Sequence, residues 1–419
     1  MTRFVGHGRQ EVTTADELTP VDEHLAAVLD LLPTPEPIGL RLSDALGLVL
    51  AEDIVSEVRV PDFANAAMDG YAVVVSDLEA ATSTVPVGLP VVGEVAAGPG
   101  RATTLTAGRV ARIMTGAPLP EGAEAVVPVE TTSGGSGQVY FHAPVPVGTN
   151  VRYPGEDLQP GQPLLSAGHR VSPADVGLLA VAGVARVRCL PPPRVVVLSS
   201  GDELVPAEDI PGPGQIRDAN GPMLAAMIRA AGGVPFSAGI VPDEPDAVRW
   251  AIDANLGHAD LVLSTGGASA GTRDLLPDVI GELGEVRTVK VAMKPGMPQI
   301  LGSVRGTPVI GLPGNPVSAF VSFEVFVRPA LRRLQGRRGI DRPTVTARAG
   351  TRLSAPRHKR GYTRVRLERD GDGWVATPTG PQGSHVITSI ALANGLAVVP
   401  EDVMEIPEGG EVTVRLLVD

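Results

Sequence analysis

From Pro191-Pro192-Pro193 onward, short apolar runs alternate with stretches of helical spacing, and that alternation narrows the choice of fold more than any other feature of this 419-residue chain. The runs at residues 194–199, 234–240, 260–264, 286–291 and 308–312 have strand length. Helices are predicted near residues 223–231, 246–255, 275–283 and 317–334. Strands and helices in this order build an open, mostly parallel α/β sheet over residues 191–336. Ligands of such a sheet sit beyond the carboxyl ends of its strands.

The rest of the chain reads differently. Glycine (50) and proline (40) together exceed a fifth of the residues while aromatic residues are 3%, which predicts many short strands and tight turns. Residues 61–143 alternate short Val-rich segments, such as 90–95 and 125–129, with Gly and Pro turns, the pattern of a small β domain. Ser133-Gly134-Gly135-Ser136-Gly137 reads as a hairpin-like loop inside it. Residues 1–18 read as a loose arm, Thr19-Pro20-Val21-Asp22-Glu23 as a capped helix start running to Leu32, and Pro33, Pro35 and Pro37 as the end of that helix. Residues 337–419 return to short β segments with turns such as Asp370-Gly371-Asp372-Gly373, predicting a small β domain at the C-terminal end. No internal repeat is present.

Charge and cysteine usage exclude several classes of function. A net charge of −12 argues against general affinity for nucleic acid or an anionic membrane, so an anionic ligand must meet local positive charge. The single Cys189 rules out an internal disulfide and a multi-cysteine metal site, and it fits a reducing compartment. Residues 1–10 lack the apolar core of a signal peptide, and no uncharged apolar run approaches the ~20 residues of a membrane span. A cytoplasmic protein is the expectation. No lysine is followed by Ser or Thr, which removes the P-loop, and no two of the seven histidines, His358 and His385 among them, stand at metal-ligand spacing. Arg328, Arg332, Arg333, Arg337 and Arg338 fall at the end of a predicted helix, where positive charge suits the helix dipole.

Three strand ends carry loops suited to an oxyanion. These are Ser200, Gly201 and Asp202; Thr265, Gly266, Gly267 and Ser269; and Pro313, Gly314, Asn315 and Pro316. Backbone amides of Gly-rich turns approach an anion closely, and hydroxyls add donors. Gly and Pro that merely turn the chain are the alternative. Lysine usage is a sharper signal: of thirty-five basic residues only Lys290, Lys294 and Lys359 are lysines, and two fall within Lys290-Val291-Ala292-Met293-Lys294-Pro295-Gly296. If that segment is extended, both side chains share a face and form a clamp of compact ammonium groups. Two surface lysines are the other reading. Asp69, Glu156, Asp157, Asp202, Glu203, Asp243 and Asp274 are loop carboxylates of the kind that hold Mg²⁺ beside phosphate, though composition alone does not rank them.

Asn65-Ala66-Ala67-Met68-Asp69-Gly70-Tyr71-Ala72-Val73, Ile113-Met114-Thr115-Gly116-Ala117-Pro118, Gly155-Glu156-Asp157, Ser200-Gly201-Asp202-Glu203-Leu204, Ser264-Thr265-Gly266-Gly267-Ala268-Ser269, Lys294-Pro295-Gly296, Leu312-Pro313-Gly314-Asn315-Pro316-Val317-Ser318 and Gln382-Gly383-Ser384-His385 occur in this order. Together they resemble the molybdopterin molybdenumtransferase family, called MoeA in bacteria and matched by the E domain of gephyrin in animals, over nearly the whole chain. The resemblance implies a multidomain α/β plus β fold. Its parts are a discontinuous N-terminal and linker domain (1–60 and 144–190), an inserted small β domain (61–143), a MogA-like three-layer α/β/α molybdopterin-binding domain (191–336) and a C-terminal β domain (337–419).

The resemblance further implies an elongated homodimer whose cleft is shared between subunits, with Asp69 and Thr115 completing the neighbour's site. The implied reaction joins molybdate to adenylylated molybdopterin and releases AMP, with molybdopterin adenylyltransferase and recipient molybdoenzymes as transient partners. Lys290 and Lys294 would hold an anion, Glu203, Asp243 and Asp274 would place Mg²⁺, and the Gly-rich loops would cradle phosphate. Asp157, Ser384 and a basic residue near Arg360 would complete the substrate contacts. Two departures stand out. Met297 replaces a lysine that many relatives carry after Lys-Pro-Gly, and Lys359, Arg360 and Arg364 compete for the position of the arginine motif. Competing readings are the adenylyltransferase of the same pathway, disfavoured by the long N-terminal and β regions, and a pterin-binding paralogue or scaffold without transferase activity.

Overall fold

In the computed structural model, which describes residues 18–99, 103–266 and 275–417, the apolar runs after the triple proline form one six-stranded sheet. Its order is Val234–Val241, Arg194–Ser200, Leu261–Thr265, Thr307–Leu312, Pro298–Val304 and Gly284–Lys290. The first four strands are parallel and the last two antiparallel. Alternate residues of one strand face opposite layers, which explains the continuous apolar runs. Val195, Val197, Leu261, Leu263, Ile310 and Leu312 pack against helices Val21–Asp30, Asn220–Ala230 and Arg328–Leu334. Val196, Leu198, Val262 and Val309 pack against helices Pro245–Asn255 and Leu275–Leu283. The result is a three-layer α/β/α arrangement.

Several expectations need correction. Pro298–Val304 was not anticipated as a strand because Gln299, Gly302 and Ser303 interrupt its apolar character; the signal lay in Arg305-Gly306, whose φ of 51° and 84° make the two-residue hairpin turn into Thr307–Leu312. The helix predicted over 317–334 is helical throughout but widens to a π-turn at Phe323–Val327, just before Pro329, whose ring crowds the carbonyl four residues earlier. The N-terminal helix begins at Val21 as predicted but has no side-chain cap and ends at Asp30. Thr19 is occupied elsewhere, its N–H donating to Lys290 O and its carbonyl accepting from Ala292 N. The N-terminal arm and the roles expected of Gly267, Ser269 and Asp274 lie outside the described residues.

The C-terminal strands Arg360–Asp370, Gly373–Pro378, Thr344–Ala349, Glu411–Leu416 and Gly395–Val399 form a ring, since Gly395–Val399 pairs back onto Arg360–Asp370. Closure leaves the sheet without a free edge around its core of Val365, Leu367, Ala397 and Val414. Asp370 and Gly373 face each other across the predicted turn. The short strand Met293–Lys294 adds to Arg360–Asp370 in parallel.

Contacts divide the chain into two compact units, the residues up to Ile38 with Cys189 onward, and Gly39–Arg188. The second unit is built on a five-stranded sheet of Ala125–Pro128, Gly70–Val73, Val110–Ile113, Val87–Val95 and Gln138–Phe141. One face packs Ala72, Ala111 and Ile113, the other Tyr71, Val73 and Phe141. The glycine-rich loop at 133–137 is hairpin-like as predicted, with Ser133 N donating to Tyr140 O. Helix Pro173–Val181 starts on a capping box: Asp175 N donates to Ser172 Oγ and Ser172 N to Asp175 Oδ2.

Candidate functional site

Because Arg194–Ser200, Leu261–Thr265 and Thr307–Leu312 are adjacent and parallel, their carboxyl ends bring the three candidate loops together. Asn220, at the start of helix Asn220–Ala230, ties two of them: its Nδ2 donates to Thr265 Oγ1 at 2.8 Å and to Gly314 O at 2.7 Å. Sequence reasoning missed this buried residue, since an isolated Asn before a helix looks like an ordinary cap. Gly266 has φ of +89°, and a Cβ there would stand 2.4 Å from Ser200 O. Gly314 lies against Gly266, its own would-be Cβ 3.6 Å from the Gly266 Cα. Asn315 precedes helix Pro316–Ser322 without capping it through its side chain, and Pro316 occupies the first turn.

Carboxylates gather at the end of Arg194–Ser200. Asp243 N donates to Asp202 Oδ1 at 3.1 Å, so Asp202 and Asp243 are neighbours. The Glu203 carboxylate folds over Gly201, where a Cβ would lie 2.6 Å from its oxygen. Asp202, Glu203 and Asp243 are all exposed. Among the described residues no cluster of three His, Cys, Asp or Glu side chains is positioned to hold a metal.

The lysine pair does not form the flat clamp that an extended segment predicts. Gly284–Lys290 ends the large sheet, the chain bends as Met293 N donates to Val291 O at 2.8 Å, and Met293–Lys294 joins the C-terminal barrel. Lys294 then lines a cleft of about 200 Å³ together with Arg352, Ser354, Thr363, Arg364 and Gln382. Arg364 is buried, with 1% of its surface exposed. Its guanidinium donates to Ser389 Oγ and to the carbonyls of Gly383 and Pro381, all neutral. Burial brings its pKa down to about 10, which leaves it charged at neutral pH. Arg360, by contrast, donates to both Asp22 oxygens at 2.8 Å and pairs with Glu401, and its charge is held firmly by Asp22. Of the residues that compete for the arginine motif, Arg364 lines the cleft, while the ion pairs with Asp22 and Glu401 engage Arg360 in tying the N-terminal helix to the barrel. Ser384 adjoins the same region, its carbonyl accepting from Val317 N.

The remaining candidates lie in the second unit. Asp69 Oδ1 accepts from Thr115 Oγ1 at 2.7 Å and from Thr115 N at 2.6 Å, which holds its carboxyl below the usual range. Gly70, next in sequence, must lack a side chain, since a Cβ would fall 2.1 Å from Val127 O. Asp157 is exposed, and its N–H donates to Val60 O.

Three family models match the chain in order: "MoeA N-terminal region (domain I and II)" over residues 19–183, "Probable molybdopterin binding domain" over 196–333 and "MoeA C-terminal region (domain IV)" over 346–417. Molybdopterin molybdenumtransferase 2 of Mycobacterium tuberculosis is 42% identical over 94% of this chain and 98% of its own length. The chain belongs to the molybdopterin molybdenumtransferase family. A Bacillus subtilis molybdopterin molybdenumtransferase is 33% identical over 95% of this chain and 94% of its own. A solved molybdopterin biosynthesis MoeA protein from Pyrococcus horikoshii superposes with a TM-score of 0.82 at 35% identity, covering 96% of this chain and 99% of that one. The segment that joins the α/β sheet to the barrel carries one of the departures noted in the sequence. There Met297 stands beside Lys359, whose Nζ lies 3.3 Å from the Met297 sulfur.

Proposed function

We propose that this chain inserts molybdenum into molybdopterin, with adenylylated molybdopterin and molybdate as substrates and AMP as a product. The observation that carries this reading is Arg364, a buried cation whose described partners are all neutral, beside a cleft that also presents Lys294. A guanidinium taken out of water with no carboxylate beside it is offset by an anionic ligand, and molybdate is a compact dianion of suitable size. In this proposal the three strand-end loops would supply amides and hydroxyls for the pyrophosphate: Ser200, Gly201 and Asp202, Thr265 to Gly267 with Ser269, and Pro313 to Pro316.

Asp202 and Asp243 are neighbouring exposed hard-oxygen donors with Glu203 next in sequence, and Mg²⁺ needs only one or two carboxylates completed by phosphate and water. In this proposal Glu203, Asp243 and Asp274 hold the ion. Bound there, it supplies neutralisation of the charge that develops on the pyrophosphate as its bond breaks. Lys290 and Lys294 orient the oxyanion, and Ser384 adds a substrate contact.

The proposal extends to assembly. A homodimer would let Asp69 and Thr115 serve the partner's cleft, and the pre-organised Asp69–Thr115 pair suits a carboxylate that must stay ionised. The division at residues 61, 144, 191 and 337, the cytoplasmic setting, and passing contacts with molybdopterin adenylyltransferase and recipient molybdoenzymes belong to the same reading. Among the described residues no helix is long and apolar enough to cross a membrane.

The test is AMP release from adenylylated molybdopterin with Mg²⁺, followed with and without low concentrations of molybdate. Molybdate-dependent release that collapses in Lys294→Ala and Arg364→Met is the expected result. Binding of the adenylylated compound with no AMP under any molybdate concentration would reject transfer and favour a pterin-binding paralogue.

A further inference from the structure

The chain uses arginine for nearly all its positive charge, yet its three lysines converge on one corner. Lys290 ends Gly284–Lys290 opposite Pro298, the residue after Met297. Lys294 lies in Met293–Lys294, in register with Gly361 of Arg360–Asp370. Lys359 immediately precedes that strand, its N–H donating to Pro356 O, and Pro356 lines the same cleft as Lys294. The loop between Lys290 and Pro298 is drawn closed by Val291 N donating to Met297 O at 2.7 Å, which carries the Met297 side chain toward Lys359.

What the Lys359 ammonium touches is unusual. Among the described residues its hydrogen bond runs to Met297 Sδ, at 3.3 Å. A thioether is a weak acceptor and carries no charge, so it does not compensate a half-buried ammonium. The nearby carboxylates of Asp22 and Glu401 are both taken by Arg360. Lys359 is therefore a cation with little to lose by turning elsewhere, and it immediately precedes the strand on which Met293–Lys294 pairs. A compact ammonium with three rotatable donors can make that turn without the fixed fork geometry an arginine demands.

We propose that Lys359 supplies a further ammonium to the oxyanion site beside Lys294, giving up Met297 Sδ to reach the bound tetrahedral oxyanion. The proposal rests on the reading of the cleft as the molybdate site. Lys359 acts as a binding residue, and Met297 as the placeholder that keeps its ammonium near the cleft.

Calorimetric titration of molybdate into the full-length protein tests this, with a thermal melt of each variant. Loss of one charge-assisted hydrogen bond predicts that Lys359→Ala and Lys359→Gln each weaken molybdate binding about tenfold, with melting unchanged. In the double variant Lys359→Ala with Met297→Lys, affinity returns to within about threefold of the parent, because the charge is restored from the neighbouring position. Weakened binding that the added lysine fails to rescue overturns the proposal, because the residue then acts through local structure. Affinity kept in both Lys359 variants while Lys294→Ala loses it overturns the role of Lys359 and leaves the cleft reading standing. Affinity unchanged in Lys294→Ala as well removes the cleft reading, and the proposal with it.

Discussion

His24 shows how one buried side chain writes a pH dependence into the molecule. It packs edge-on against Phe326 with ring centroids 4.7 Å apart, and burial, aided by the charge of Arg287, lowers its pKa to about 4. The neutral form is the one that folds, so its contribution is complete above the unfolded value near 6.5 and is lost as pH falls toward 4. The loss amounts to roughly 3 kcal/mol across that window. Denaturant titrations at pH 7.5 and 4.5 should show it, and His24→Leu should lack that share of the acid-side slope. Glycines at the strand ends separate just as sharply. Gly266→Ala places a methyl against Ser200 O at positive φ and should destabilise by about 1–3 kcal/mol, while Gly314→Ala meets only a 3.6 Å contact and should melt like the parent. The candidate cleft was legible at this scale in Lys294, a rare residue type that lines it, and illegible where a common type gains meaning only from its surroundings. Arg364 and Arg360 are identical letters four positions apart, and burial and the Asp22 contact alone tell them apart.

At the scale of elements, the sequence foretold five strands of the large sheet and lost the one whose apolar run is broken by polar residues and glycine. Arg194–Ser200 is buried along five consecutive positions, so its run is unbroken. Pro298–Val304 is buried almost as fully, but Gln299 interrupts its apolar run; the Gln299 side-chain nitrogen donates to Gly296 O and Ser322 Oγ, a compensation no linear pattern reveals. The helical stretch ending at Leu334 hides another. Within its π-turn, Glu324 receives Arg342 through two nitrogens, at 2.9 and 3.1 Å, with side chains only 6% and 9% exposed. Removing one partner of such a pair leaves a buried charge, so Arg342→Met should cost about 3–5 kcal/mol in denaturant unfolding. Replacing both residues by apolar side chains of similar volume should restore most of that loss.

For the whole molecule, the second unit is entered along Ile38–Arg41 and left along Arg186–Leu190, neighbouring strands of one three-stranded sheet. Ends this close can be joined by a short linker. A chain with residues 39–188 replaced by a short Gly-Ser turn should fold, retain the α/β and barrel cores and still bind molybdate; failure to give a cooperative melt would show that the two units fold only together. The composition shift at the triple proline falls close to the unit boundary at Cys189, whereas the joining of residues up to Ile38 to the later unit and the closing of the barrel by Gly395–Val399 depend on pairings between distant segments that no local pattern carries. The gathering of every lysine at one corner has a practical side too. Reagents that acylate primary amines have no other side chain on this protein to modify. Peptide mapping after a brief pulse of such a reagent, with and without molybdate, becomes a footprint of that corner alone, free of the background that an ordinary lysine-rich surface would impose.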